Sequence, residues 1–237
     1  LPGASLSFLK LDLASLESVI LFAAEFNSVY NRLDLLINNG GIMTSDARFT
    51  EDGFDAMLGI NHLGHFALGG LLLSKILATP LSRIISVSSI AHFKGIINFD
   101  DLMLKKAYSR KNAYRQSKLA NLLYSYELDR RLKAAGKETI AIAAHPGITS
   151  TNILPLPRPI ELLKELVLMK TIKGALPTMM AATDPLLKGG EFIGPDGYKQ
   201  TLGYPAVRKS GDHTKDKSVW TELWKVSEKL CGVEYKF

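Results

Sequence analysis

Tyr114 and Lys118 stand four residues apart in the run Tyr114-Arg115-Gln116-Ser117-Lys118. On a helix that spacing puts both side chains on one face, about one turn apart. An ammonium beside a phenol favours the phenolate and is expected to lower the tyrosine pKa from about 10 toward neutrality. A phenol tuned in this way exchanges a proton with an alcohol or carbonyl oxygen. Alone the pair says little, because solvated Tyr-x-x-x-Lys pairs are common on exposed helices. Its company is more specific: Ser88-Ser89 end a strand-like run upstream, and Asn61 lies earlier still.

The elements that must position these groups alternate. Ser7 to Leu13 reads as a strand running into a turn, and Ala14 to Tyr30 carries a helical apolar stripe. Leu33 to Ile37 reads as a buried strand delivering the loop Asn38-Asn39-Gly40-Gly41. Phe54 to Leu77 is helical by length, with Gly64, Gly69 and Gly70 inside it, each costing about 1 kcal/mol against alanine unless close packing requires it. Arg83 to Ser88 and Thr139 to Ala144 read as further strands. Tyr114 to Ala135 between them is a helix stopped at Gly136. After Pro-rich Leu154 to Pro159 and an apolar helix from Ile160 to Lys170, Glu191 to Pro195 reads as the last strand and Ser218 to Leu230 as a closing amphipathic helix. The pattern predicts an α/β fold, a doubly wound parallel sheet covered on both faces, with the ligand crevice at the carboxyl ends of its strands.

The chain has 237 residues, 46% hydrophobic and 22% charged, which fits one sizeable domain and argues against disorder. Its net charge of +6 is scattered along the sequence, so a nucleic-acid stripe is not expected, whereas an anionic small ligand would suit it. A single cysteine, Cys231, excludes a disulfide within the chain and points to a reducing, cytoplasmic setting. The apolar run Ala67 to Leu73 is too short to span a bilayer, and the start, at Leu1, does not resemble a signal peptide.

In the order Asp12, Asn38-Asn39-Gly40-Gly41, Asn61, Ser89, Tyr114-x-x-x-Lys118, Pro146-Gly147 and Thr151, the chain resembles the short-chain dehydrogenase/reductase family. Within it, Asn61-His-Leu-Gly-His-Phe66, Val87-Ser-Ser-Ile-Ala-His92 and Tyr114-x-x-Ser-Lys-Leu-Ala-Asn121 are similar to the retinol-dehydrogenase-like branch. The resemblance implies a Rossmann-like fold and an NAD(P)-dependent oxidoreductase, NADP being favoured. It makes Tyr114 the general acid/base, Lys118 its partner on the nicotinamide ribose, Ser89 the substrate-orienting hydroxyl and Asn61 the holder of a proton-relay water. Asp12 with Leu13 would contact the adenine, Asn38 and Gly40 would lie beside the cofactor, and Pro146, Gly147 and Thr151 would cradle the nicotinamide. Asn152 to Lys173, strongly apolar, falls where the family has its substrate lid, so a hydrophobic alcohol, aldehyde or ketone is expected. Pairing of copies through the two helices that carry Asn61 and Tyr114 is expected by the same analogy.

Each residue has a second reading. Asn38 to Gly41 could be only a turn, Asn61 a buried residue bonded to backbone, Ser88-Ser89 a strand end and Asp12 a helix cap. Gly40 departs from the family's usual alanine, which implies a looser loop. His62 and His65, three apart, favour packing over metal binding for want of nearby cysteine or carboxylate partners. The family's opening strand, Gly-rich turn, helix and second strand, on the order of 40 residues, have no counterpart before Leu9. The expectation is an N-terminally truncated piece of an active enzyme, or else a chain that cannot hold its cofactor. It would leave the Leu9 to Leu11 strand unpartnered and bare an edge of the Leu33 to Ile37 strand. The rival function is a non-catalytic binding or scaffold protein of the same fold.

Overall fold

Four apolar runs with polar endings become the parallel strands of one sheet. The computed structural model describes residues 3–148 and 171–237. In it β1 (Leu35–Asn38), β2 (Arg83–Val87), β3 (Ile140–Ala144) and β4 (Phe192–Pro195) pair in parallel, in chain order. A fifth strand, β5 (Pro205–Arg208), closes the sheet antiparallel to β4. Asn38 lies opposite Ser86 and Val87 opposite Ala144, so the polar endings of β1, β2 and β3 emerge along one rim. That rim is where a parallel sheet offers a ligand crevice.

Alternate strand residues bury against different layers. Leu36, Ile84 and Ala141 pack into the core shared with helices α1 (Leu16–Val29), α3 (Gly64–Leu71) and α5 (Arg110–Ala134). Ile85, Ile142 and Ala144 pack instead on Ala181 and Ala182 of α7 (Leu176–Thr183), which follows the short α6 (Thr171–Gly174). Burial on both faces explains why these strands read as continuous apolar runs. The closing helix α8 (Lys217–Cys231) and the tail behind it cover α3 and α5, with Trp224, Tyr235, Phe66 and Tyr124 in mutual contact. Gly69 and Gly70 lie at this contact, where an added Cβ would meet Tyr124 and Tyr235. Close packing is therefore the reason for glycine here.

The structure departs from the sequence reading at several points. Ser7 to Leu13 is not a strand. No neighbouring strand among the described residues offers its backbone a partner, and Leu6 and Phe8 are 93% and 89% exposed. β1 pairs on one side only, so its outward residues Leu35 and Ile37 stay 40% exposed where a buried strand was expected. The described strands wind in one direction, so the fold is Rossmann-like α/β but the reversal of a doubly wound sheet does not fall among them. Phe54 to Leu77 is interrupted: α2 (Ala56–Leu58) passes through a π-turn at Gly59–Leu63 into α3, and α4 (Leu73–Leu77) follows a break at Leu72. Helix α5 begins a turn earlier than predicted, and β5 follows the strand that was read as the last. The expected Pro-rich segment, the helix from Ile160 to Lys170, Thr151 and nearly all of the lid lie outside the described residues.

Candidate active site

A cleft of about 1140 Å³ opens along the strand rim, lined by Gly40, Ser89, Tyr114, Lys118, Pro146 and Gly147 among others. Six of the residues predicted from sequence thus share one space. Asn61 stands just behind it, whereas Asp12, Leu13 and Asn38 do not line it.

Helix α5 presents Tyr114 and Lys118 together, with Lys118 Nζ 5.9 Å from the centre of the Tyr114 ring. Lys118 is buried, and its ammonium donates to the Val87 carbonyl at 3.1 Å, an acceptor shared with Asn121 Nδ2. Burial pushes the Lys118 pKa down to about 8. It also raises the Tyr114 phenol above its ordinary value, with the Ser89 hydroxyl opposing by a smaller amount. The direction is opposite to the expected lowering: burial of the phenol outweighs its one opposing influence, the Ser89 hydroxyl. Ser89 influences the phenol although the hydrogen bond its own Oγ makes among the described residues is with Ala91 N–H, at 3.2 Å.

Asn61 sits in the π-turn, and its side chain is committed to protein partners. Its amide donates to Ile42 O at 3.0 Å and Ser117 Oγ at 2.9 Å, and its oxygen accepts from Ile42 N–H at 2.8 Å. Ser117 Oγ in turn donates to the Tyr114 carbonyl at 2.9 Å. Asn61 therefore ties the Gly40–Ile42 loop to the helix that carries Tyr114. Its carbonyl accepts from His65 Nδ1 at 3.0 Å. His62 Nε2 pairs with Ser227 Oγ at 2.9 Å, so both imidazoles serve packing.

Gly40 has the space of an alanine methyl already filled, since a Cβ there would come within 2.9 Å of Leu13 Cδ1. Asp12 is exposed and its carboxylate accepts from Ala14 N–H at 2.9 Å, a local turn ahead of α1. Asn38 points its side chain into the protein, and neither its amide nor its oxygen finds a partner among the described residues.

Two histidines, His92 in the Val87–His92 motif and His145 just before Pro146, hold the rim, which sequence reasoning did not foresee. His92 Nδ1 donates to the Ser89 carbonyl at 2.6 Å while Nε2 accepts from Gly211 N–H at 3.4 Å. His145 Nδ1 accepts from Gly147 N–H at 3.2 Å while Nε2 donates to Gln200 Oε1 at 3.1 Å. The Phe192 ring contacts both, stacked on His145 at 5.0 Å and edge-on to His92 at 4.9 Å. Burial lowers each histidine to about 4, so both are neutral and each ring nitrogen has one defined role. The loops after β2 and β3 are thereby pinned to the C-terminal part of the chain.

Comparison with known proteins places this arrangement. A family described as short chain dehydrogenase matches residues 2–157, well over half of the chain. The chain is a short-chain dehydrogenase. Human retinol dehydrogenase 14 is 39% identical over 245 residues, a match covering 98% of this chain and 70% of that protein. Human retinol dehydrogenase 13 is 39% identical over 238 residues, covering 94% and 68%. The crystal structure of an uncharacterized protein from Mycobacterium paratuberculosis superposes with a TM-score of 0.79 at 39% identity, covering 97% of this chain and 76% of that one. A short chain dehydrogenase from Burkholderia cenocepacia, solved in complex with NADP, shares the fold with a TM-score of 0.58 at 19% identity, covering 78% and 72%. This retinol-dehydrogenase-like chain is an NAD(P)-dependent oxidoreductase.

The residues of this dehydrogenase fit the nicotinamide-ribose half of such a cofactor. Gly41 keeps the floor open, since a Cβ there would stand 3.1 Å from Asn61 Oδ1 and 3.3 Å from Lys118 Nζ. Gly147, at φ +74°, gives the opposite wall a backbone that a larger residue would strain.

Proposed function

We propose that this dehydrogenase reduces a hydrophobic aldehyde or ketone with NADPH, and oxidises the corresponding alcohol in reverse, with Tyr114 as the general acid/base. The observation that carries this reading is the convergence of Tyr114, Lys118 and Ser89 on one cleft. When bound, the nicotinamide supplies or accepts the hydride. Burial keeps the Tyr114 phenol protonated, which suits donation to the oxygen of a carbonyl as it gains charge. Ser89 offers a second hydrogen bond to the same oxygen. Lys118 contributes positive charge beside the phenol and a donor toward a ribose hydroxyl. Asn61 keeps the cofactor-side loop in register with Tyr114, and Pro146 and Gly147 form the facing wall. Asp12, Leu13, Asn38 and Thr151 are carried as cofactor contacts on the family resemblance alone, as are NADP over NAD and a cytoplasmic setting.

Met43, Ile90, Phe93 and Met179 line the cleft and favour an apolar substrate. The names of the retinol dehydrogenases that the chain resembles agree with that preference. An assembly of identical copies belongs to the proposal too, on the family resemblance alone. Size-exclusion chromatography with light scattering reads the copy number.

The substrate test is a panel of long-chain carbonyls against sugars at millimolar NADPH. Turnover of octanal and not of sugars is expected, and a preference for sugars overturns the reading. The rival reading is a non-catalytic binding or scaffold protein of the same fold. It prevails if the folded chain shows no NADPH binding at that concentration.

A further inference from the structure

We propose that the carbonyl substrate carries an anionic group on its apolar tail, and that Lys94, Lys111 and Arg115 receive it at the mouth of the cleft. The inference rests on the reading of Tyr114 as the group that faces the carbonyl oxygen.

Lys118, Tyr114 and Lys111 form one stripe along α5, at successive turns of about 5.4 Å. The stripe runs from floor to mouth: Lys118 is 5% exposed, Tyr114 half-buried and Lys111 exposed. A carbonyl held at Tyr114 with its reacting face toward Lys118 extends its remaining length toward Lys111. Lys94 reaches the same mouth from the turn that follows Ser89. That turn abuts α5 closely, since a Cβ on Gly95 would lie 2.7 Å from the Arg115 carbonyl.

Among the described residues the charges at this mouth are unbalanced. Lys94, Lys111, Arg115 and Lys118 all line the cleft, and no Asp or Glu does so among the described residues. The first three make no salt bridge among those residues, and Arg115 donates only a long 3.4 Å bond to Asn112 Oδ1. They cluster where α5 begins, the positive end of its dipole. No acidic residue stands in that first turn and Ser109 makes no side-chain cap. Cations repel one another there, and an anion relieves the repulsion. Ile90 and Phe93 line the cleft alongside them and suit a methylene chain.

The test compares 8-oxooctanoate with its methyl ester, in the 237-residue chain and in the triple variant K94Q/K111Q/R115Q. Binding is measured by calorimetry and turnover with NADPH. All three residues are at least partly exposed, and circular dichroism checks the fold of the variant. A single variant, K111E, and a salt titration of the wild type stand beside it. The proposal expects the acid to bind about ten-fold more tightly than the ester at low ionic strength, through KM and not kcat. Salt and the triple variant should each bring that ratio near one. Equal affinity for acid and ester in the wild type, or a ratio that survives both salt and substitution, overturns it. If the acid binds preferentially but neither compound is reduced, the anion site stands and the assignment of Tyr114 chemistry fails.

Discussion

Lys118 Nζ lies 5.9 Å from the centre of the Tyr114 ring and spends a hydrogen bond on the Val87 carbonyl at 3.1 Å. Burial is the largest influence on both groups. The phenol stays in its acid form, and the ammonium titrates close to working pH.

One consequence is kinetic. With Lys118 at about 8, the rate of carbonyl reduction, as kcat/KM, should decline above pH 8 as the lysine loses its charge while the phenol remains protonated. A pH-rate profile checks this, and a flat limb to pH 10 would show that the Lys118 charge is not used.

Stability gives a second reading of the same lysine. Its folded pKa of about 8 lies below the ordinary 10.5, so between these values the unfolded chain binds more protons and stability rises with pH. Below pH 8 the cost of burying the ammonium is fully present. Replacing Lys118 with Met should stabilise the protein by about 1–3 kcal/mol at pH 7 in urea unfolding, part of the gain being offset by the lost bond to Val87. The advantage should shrink as pH passes from 8 to 10.5.

Four buried histidines set the acid limit. Burial holds His62 at about 3 and His65, His92 and His145 at about 4, all below the ordinary 6.5. Their contribution is present above pH 6.5 and is lost as pH falls through the window down to about 4. Urea midpoints should drop steeply across that window. His62→Leu should flatten the slope, even if it lowers stability at neutral pH by leaving Ser227 without its partner.

His145 should behave as a positioning residue. His145→Asn can keep an acceptor near Gly147 N–H, whereas His145→Leu cannot. The leucine variant should raise the KM for NADPH about ten-fold or more, at an energetic cost of the size expected for one lost buried hydrogen bond, with the asparagine variant recovering part of it. Equal KM values for both variants would reduce His145 to a packing role.

Much of the site was legible because its chemistry is local. Tyr114 and Lys118 are spaced by one helical turn, and Ser89 and Pro146-Gly147 follow strands whose apolar runs are plain. What escaped depends on distance in sequence or on surroundings. The π-turn at Asn61 has no periodicity to announce it, and the partners of His92 and His145, Gly211 and Gln200, are supplied by the C-terminal segment. Ser7 to Leu13 alternates like a strand, but strand formation needs a neighbour as well as a pattern. The tyrosine pKa moves opposite to expectation because spacing reveals a nearby charge and conceals the burial that raises it.

The most direct test of the central claim compares the wild-type chain with Tyr114→Phe in octanal reduction at millimolar NADPH, with cofactor binding followed separately by fluorescence. The account predicts wild-type turnover that falls by about 10²-fold or more in the variant, with NADPH affinity unchanged. Equal rates in the two proteins, or no turnover by the wild type with NADPH bound, would contradict it.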